Sequence, residues 1–166
     1  MSKIKFFILF LGLIAVLEST HTLFINLTPS IPTGLYIRQF MGELKKGDVV
    51  VYRPNQLALD IGLENGYIKS SQELFIKNVG LVGGGSYSID SETRAFVVDG
   101  RHVGESLEFD SNGRMMPFSP GTYQLHDDEF LPVGTADRSF DGRYTGPVPR
   151  ENIVCKVVPL IIFDIP

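Results

Sequence analysis

Glycine and proline are spread through the chain after its first residues, and this limits the secondary structure that can form. The 166 residues include 17 glycines and 10 prolines. Both residue types are unfavourable inside helices, so a chain interrupted in this way has little room for long ones. Only residues 55–63 form a weak helix candidate. The pattern predicts short strands joined by turns.

Between these breaks lie short runs rich in β-branched and aromatic residues, which are typical of strands. The runs cover residues 34–37, 48–52, 73–79, 94–98, 121–125 and 153–158. Asp99 and Gly100 separate two extended segments, as in a hairpin. Residues 104–120 are polar and are predicted to form an insertion that adds little to the core. We therefore predict a mainly β fold, a folded sheet or barrel.

The N-terminus carries an apolar segment, residues 4–17, which Lys5 interrupts. It is shorter than the about 20 residues of a confident membrane span. No small-residue cleavage site follows it cleanly, which favours an uncleaved anchor over a signal peptide removed near residues 20–22. We predict a membrane anchor or signal segment over residues 1–25 and an exported domain over residues 26–166. Lysines before the segment predict a cytoplasmic N-terminus and an exported remainder.

Composition and charge exclude several classes of protein. The hydrophobic content of 43% and charged content of 20% are ordinary for a globular domain. The net charge of −4 gives no basic surface for nucleic acid. Cys155 is the single cysteine, so no internal disulfide can form. Three histidines and one cysteine show no metal-ligand spacing, so we expect neither a metal nor another cofactor.

Two residues stand out chemically. Ser30 lies between two prolines shortly after the apolar segment, and Lys77 lies inside an apolar strand-like run. Alternation places Phe75 and Val79 on the same face as Lys77. Such burial can lower a lysine pKa by the roughly three units, or about 4 kcal/mol, that a base near neutral pH needs. Taken singly, a turn serine and an edge-strand lysine are the simpler interpretations; together they suggest a Ser/Lys hydrolase.

Five motifs follow one another in a recognisable order. They are TPSIPTGLY (28–36), KGDVVVY (46–52), FIKNVG (75–80), FVVDG (96–100) and RSFDGRYTGPV (138–148). The series resembles type I signal peptidases and is most similar to the conjugative-transfer (TraF-type) branch. That branch has the forms Thr-x-Ser-x-Pro-x-Gly-Leu-Tyr and Ser-x-Asp-Ser-Arg-Tyr-x-Gly. Each motif alone is weak evidence, but five in order are strong.

The resemblance implies a role for each matching residue. Ser30 would be the nucleophile and Lys77 the general base. The Thr28 hydroxyl would help the Ser30 amide stabilise the oxyanion. Ser139 would orient the lysine. An ion pair between Asp141 and Arg143 would brace the last motif.

The implied protein is a serine endopeptidase of the bacterial inner membrane with its catalytic domain on the periplasmic side. Its partners would be membrane lipid and a pre-protein substrate, namely the pilin precursor of a conjugative system. Head-to-tail joining of the trimmed pilin is a further activity known in that branch. The alternatives are a housekeeping signal peptidase I and a non-catalytic, membrane-anchored β module of a secretion apparatus. A self-cleaving repressor is disfavoured, because an apolar segment stands where a DNA-binding domain is needed.

The chain also departs from the family pattern and contains two false leads. Asn78 replaces an arginine, Gly142 replaces a serine, and residues 82–85 and 133–137 replace two further family motifs. His126 precedes two aspartates, but it lies in a polar turn and is expected to cap a loop and not to complete a triad. The glycines before Ser86 lack a following Gly-Lys-Ser/Thr and are predicted to form a tight turn, not a phosphate loop.

Overall fold

The chain forms eleven strands, three α-helices and one 3-10 helix (Arg150–Asn152) within the residues that the computed structural model describes, 3–19 and 22–163. The α-helices are α1 (Lys3–Ser19), α2 (Gln56–Glu64) and α3 (Gly142–Thr145). The strands are β1 (Leu23–Asn26), β2 (Gly34–Gln39), β3 (Val49–Tyr52), β4 (Phe75–Val82), β5 (Ser86–Ile89), β6 (Ala95–Val98), β7 (Arg101–Glu105), β8 (Gly121–Gln124), β9 (Glu129–Val133), β10 (Val148–Pro149) and β11 (Ile153–Ile162). The predicted mainly β fold is confirmed.

The strands form two antiparallel sheets. The larger has the order β1-β2-β11-β3-β4-β9-β10, and the smaller has the order β7-β6-β5-β8. β11 pairs with β2 on one side and with β3 on the other. The larger sheet is curled, so that the loop after β1 and the middle of β4 face a common groove.

Three clusters of buried side chains form the core. One lies between the smaller sheet and β9, and its most buried members are Phe96 and Leu131. The other two line the larger sheet around Val51 and around Val50. Removing this apolar surface from water supplies the main stabilisation of the fold. The clusters meet along β4 and β9, so these two strands join the sheets into one body.

Several local predictions are confirmed. β6 and β7 form the expected hairpin, with Asp99 and Gly100 at φ of 53° and 71°, as a type I′ turn requires. α2 lies where the helix candidate was predicted. It begins there because the Asn55 side chain accepts a hydrogen bond from the Ala58 N–H and caps the first turn. The glycines before Ser86 form a tight turn between β4 and β5.

The predicted N-terminal membrane segment corresponds to α1, whose apolar side chains are largely exposed. Among the described residues, no helix is both long enough and apolar enough to cross a membrane. The membrane segment in our predicted fold is therefore not supported. The alternative cleavage point near residues 20–22 lies largely outside the described residues, as do the outer ends of both predicted segments.

Candidate active site

A groove of about 710 Å³ has both members of the predicted pair, Ser30 and Lys77, in its wall. The wall is built from segments that lie far apart in the sequence, within residues 25–30, 67–77, 107–116 and 136–144. Aromatic rings make much of it apolar, and these are Tyr67, Phe75, Phe109, Phe140 and Tyr144. A long apolar groove with a few polar groups at one place is the usual form of a substrate site.

Lys77 is a buried amine. It lies on β4, where burial alternates, and only 5% of the residue is exposed. Its Nζ donates a hydrogen bond to Ser139 Oγ at 3.0 Å. Burial lowers the pKa of Lys77 from 10.5 to about 8, an effect that the Asp141 carboxylate opposes and the Arg143 guanidinium reinforces. An amine with this pKa is partly neutral near pH 8 and can accept a proton.

Ser30 is held by its backbone on one side and lies next to a second hydroxyl on the other. It belongs to the loop between β1 and β2, between two prolines, and is 8% exposed. Its carbonyl oxygen accepts a hydrogen bond from the Thr135 N–H at 2.7 Å. Thr28 Oγ1 lies 3.3 Å from Ser30 Oγ. No direct hydrogen bond between Ser30 and Lys77 occurs in the described part of the chain; the two share the groove.

The ion pair of Asp141 and Arg143 is almost completely buried. Arg143 Nε lies 2.9 Å from Asp141 Oδ1, with the side chains 1% and 0% exposed. Arg143 also donates to the carbonyl oxygens of Glu105 and Asp137, each at 3.0 Å. Asp141 Oδ2 accepts a hydrogen bond from the Gly134 N–H at 2.7 Å. The pair therefore fixes the backbone of β7 and of the segment beside the nucleophile.

Gly134 allows the two serines of the site to approach each other. A Cβ at this position would overlap Ser139 Oγ, and it would lie 2.5 Å from Ser139 Cβ and 2.7 Å from the Ser30 carbonyl oxygen. Backbone atoms cannot give way cheaply at such distances. No side chain therefore fits at residue 134 while Ser139 holds the lysine and Ser30 keeps its position.

The insertion has a larger role than the sequence indicated. Residues 107–116 contribute one wall of the groove instead of only decorating the sheet. Asp110 fastens it, because it accepts a hydrogen bond from Tyr67 Oη at 2.8 Å and forms an ion pair with Arg114 at 2.7 Å. Arg114 also donates to the carbonyl oxygen of Asn65. Much of the insertion is exposed, and this network of polar groups anchors it to the groove.

The described residues show no geometry that matches a histidine-based triad or a metal site. His126 lies in the exposed turn between β8 and β9 and does not line the groove. No group of three or more His, Cys, Asp or Glu side chains that could bind a metal occurs among residues 3–19 and 22–163.

Comparison with known proteins assigns the chain to a family. The sequence model of the family described as signal peptidase, peptidase S26, matches residues 2–162. The chain belongs to this family. Plasmid transfer protein TraF of Escherichia coli is 32% identical over 148 residues, which cover 82% of this chain and 81% of that protein. Conjugal transfer protein TraF of Agrobacterium fabrum (strain C58) is 29% identical over 155 residues, covering 84% and 82%.

A solved structure gives a weaker match. The crystal structure of a signal peptidase I from Enterococcus faecalis V583 covers 72% of this chain and all of that one, at 11% identity and a TM-score of 0.43. The resemblance drawn from the five sequence motifs, to signal peptidases and to the TraF branch, is confirmed by the family match and by the TraF relatives.

The departures from the signal peptidase pattern have local explanations in this member of the family. A Cβ at Gly142 would lie 2.7 Å from both Leu131 Cδ1 and the Pro132 carbonyl oxygen, so a serine does not fit there. The altered segment 133–137 supplies Gly134 and Thr135, both of which contact Ser30.

Sequence reasoning missed three residues that shape the site: Asn26, Gly134 and Thr135. Asn26 and Thr135 act on the nucleophile loop through hydrogen bonds, and Gly134 acts by having no side chain. The sequence offered two signals: Asn26 lies two residues before the Thr-x-Ser pattern, and Gly134 is a glycine inside an altered motif.

Proposed function

We propose that this chain is a serine endopeptidase that removes the leader peptide of an exported precursor. Ser30 is the nucleophile and Lys77 the general base. Thr28 and the Ser30 amide form the oxyanion site, and Ser139 orients the lysine. The pair of Asp141 and Arg143 braces the segment that carries Ser139.

One observation carries this proposal: the buried amine of Lys77, bound to Ser139 Oγ in the wall of the groove that also contains Ser30. A buried charge is costly, and a structural protein gains nothing from a lysine that must lose its proton easily. A base whose pKa lies near the working pH, by contrast, is what activation of a serine hydroxyl requires.

The reaction proceeds in two balanced steps. Ser30 Oγ attacks the scissile carbonyl carbon while its proton passes to Lys77 Nζ. The C–N bond then breaks, the leaving amine takes the proton from Lys77, and an acyl-enzyme ester on Ser30 remains. In the second step Lys77 takes a proton from a water molecule, whose oxygen attacks the ester carbon. The ester C–O bond then breaks, Ser30 Oγ takes the proton back from Lys77, and the carboxylic acid is released.

The substrate we propose is the pilin precursor of a conjugative transfer system. The support is the similarity to proteins named as plasmid and conjugal transfer proteins. The precursor binds along the groove as an extended strand and is cut after a small side chain. An amine can also resolve an acyl-enzyme in place of water, so the same site can join a trimmed pilin head to tail.

The pH dependence of cleavage tests the mechanism. Below about pH 8 the Lys77 amine carries a proton and cannot accept one, so kcat/KM should fall about tenfold for each pH unit of acidification. Above about pH 8 it should level off. The measurement is the initial rate of cleavage of a peptide spanning a small-residue junction, followed from pH 6 to 10 with the full-length protein in detergent.

His126→Ala is the matched control, because it removes an exposed histidine outside the groove. It should leave the profile unchanged. If the midpoint of the wild-type pH profile lay at about 6.5 and disappeared in this variant, the lysine mechanism would be refuted and a histidine base indicated.

Mass spectrometry of the products separates the substrate classes. Preference for the pilin precursor supports a conjugative role, equal cleavage of unrelated precursors indicates a housekeeping enzyme, and no cleavage indicates a non-catalytic module.

We further propose that α1 holds the protein at the inner membrane with residues 26–166 on the periplasmic side. The support is its apolar surface and the lysines near its start. The full-length chain should stay in the membrane fraction after an alkaline wash, and a reporter fused after Pro166 should be active only outside the cytoplasm. Recovery of a soluble form that begins near residues 20–22 would contradict this and identify a cleaved signal peptide.

A further inference from the structure

The side chain of Asn26 makes an unusually dense set of hydrogen bonds to the nucleophile loop. Asn26 ends β1 and is 5% exposed. Its Nδ2 lies 2.9 Å from the carbonyl oxygen of Thr28 and 3.1 Å from those of Ile31 and Pro32. Its Oδ1 accepts from the Thr28 N–H at 3.2 Å and from Thr28 Oγ1 at 2.9 Å. One side chain thus contacts the loop on both sides of Ser30.

The prolines explain why the loop depends on an external partner. Pro29 and Pro32 have no N–H, so the loop cannot satisfy its own carbonyl groups through a regular hydrogen-bond pattern. Buried carbonyl oxygens without a donor are costly. The amide of Asn26 supplies a donor, with two hydrogens shared among three carbonyl oxygens, and the Tyr36 hydroxyl donates to that of Pro32 as well, at 2.6 Å.

These contacts also fix the direction of the amide. Turned the other way, Oδ1 would face three carbonyl oxygens and Nδ2 would face the Thr28 N–H, which is unfavourable at all four backbone contacts; only the Thr28 hydroxyl could adapt, by accepting. With Oδ1 on the side of Thr28, the Thr28 hydroxyl donates its hydrogen to Asn26. At 3.3 Å from Ser30 Oγ, the same hydroxyl oxygen can then only accept from Ser30.

We propose that Asn26 is a positioning residue for the reaction: it holds the loop that carries Ser30 and sets the direction of the Thr28 hydroxyl. In the resting protein Thr28 is turned towards Asn26, and it must rotate to donate to the oxyanion. This inference rests on the proposed function, because Asn26 acts through Ser30 and Thr28. It adds a residue that lies outside the five sequence motifs.

Kinetics of three variants test the proposal. Asn26→Ala should lower kcat by about 100-fold, the size of effect expected when a nucleophile is displaced. KM should change by no more than about threefold, because Asn26 is a small part of the groove wall and the segments 67–77, 107–116 and 136–144 are unchanged. Asn26→Asp should lose as much, since its second oxygen faces three carbonyl oxygens and cannot donate. Asn152→Ala removes a comparable side-chain bond to the Arg53 carbonyl far from the groove and should leave kcat unchanged.

A double-variant cycle tests the route through Thr28. Thr28→Val keeps the branched shape and removes the hydroxyl. If Asn26 acts partly by directing that hydroxyl, the loss in the double variant with Asn26→Ala should be smaller than the product of the two single losses. If the loss in kcat of the double variant equals the product of the two single losses, Asn26 and Thr28 act independently and the proposed coupling is refuted. A kcat for Asn26→Ala or Asn26→Asp within twofold of the wild type would overturn the positioning role.

Hydrogen exchange gives a readout that does not depend on activity. The amides of the five non-proline residues within 27–33 should exchange at least about tenfold faster in Asn26→Ala than in the wild type or in Asn152→Ala. Unchanged exchange would refute the proposal even if cleavage falls. Should the wild-type chain cleave no precursor, the proposed function fails, whereas the exchange rates still decide whether Asn26 holds the loop.

Discussion

Replacing Lys77 with methionine should abolish cleavage, with a loss of about 10⁴-fold or more in kcat/KM. Methionine has a similar length and fits the apolar surroundings, but it cannot accept a proton. Ser30→Ala should cause an equal loss, because no other group in the proposed mechanism attacks the scissile carbon. The control is Ser91→Ala, which changes an exposed serine in the turn after β5.

Lys77→Met should preserve or increase the free energy of unfolding at neutral pH. The folded-state pKa of Lys77 is lowered from 10.5 to about 8, so keeping the folded protein protonated at Lys77 costs about 3 kcal/mol. Between these pH values the unfolded chain binds more protons than the folded one, and stability should rise with pH. Urea unfolding of both proteins at pH 7 and pH 10 measures this, and Lys77→Met should remove the Lys77 contribution to the rise.

Two results would contradict the assignment. Residual cleavage by Lys77→Met above about one per cent of wild type would show that another group takes the proton from Ser30. A marked loss of stability at pH 7 would show that the charged lysine is a structural ion, paired with Asp141, and not a base kept close to neutrality.

Replacing Gly134 with alanine should lower kcat/KM by about 100-fold or more. The added methyl group would overlap Ser139 Oγ and press on the Ser30 carbonyl, so the lysine hydrogen bond and the nucleophile cannot both keep their positions. Overpacking of this kind also costs about 1–3 kcal/mol of stability. Cleavage rates and urea midpoints measured on the same preparation separate the two effects.

Gly12→Ala is the matched control, since a Cβ there would meet nothing within 4 Å and the residue lies within α1. It should leave the cleavage rate within about twofold of wild type, because alanine is favourable in a helix. If Gly134→Ala were equally harmless, the contact among residues 30, 134 and 139 would not matter for the site.

The sequence predicted those parts of the site that depend on local pattern. Alternation along β4 placed Lys77 on one face with Phe75 and Val79, although an edge-strand lysine was the simpler interpretation until Ser30 was considered with it. The Asp-Gly pair predicted the β6–β7 hairpin. Both predictions depend on residues close in the chain. The family resemblance indicated Ser139, Asp141 and Arg143, which the fold brings close to Lys77.

The remaining features depend on contacts that no local pattern records. Gly134 matters because residues 30 and 139 converge on it, and nothing around it in the sequence shows that. The insertion was predicted to add little to the core because its residues are mostly polar. The sequence does not show that Asp110 pairs with Tyr67 and Arg114 and so fastens one wall of the groove. The helix α1 was predicted as a membrane segment because its residues are apolar and no clean cleavage site follows, although the apolar run was already shorter than a span. Within the described residues no helix is long and apolar enough to cross a membrane.

The position of β11 in the larger sheet ties the assembly of the site to the order of synthesis. β11 pairs with β2, which follows the nucleophile loop, and with β3, which is the neighbour of the lysine strand β4. Beyond it, the Phe163 N–H donates to the Thr33 carbonyl oxygen at 2.8 Å. A growing chain therefore carries Ser30 and Lys77 long before residues 153–163 are available to join their two halves of the sheet. The proteolytic activity that we propose would thereby be withheld from the nascent polypeptide until β11 has been made.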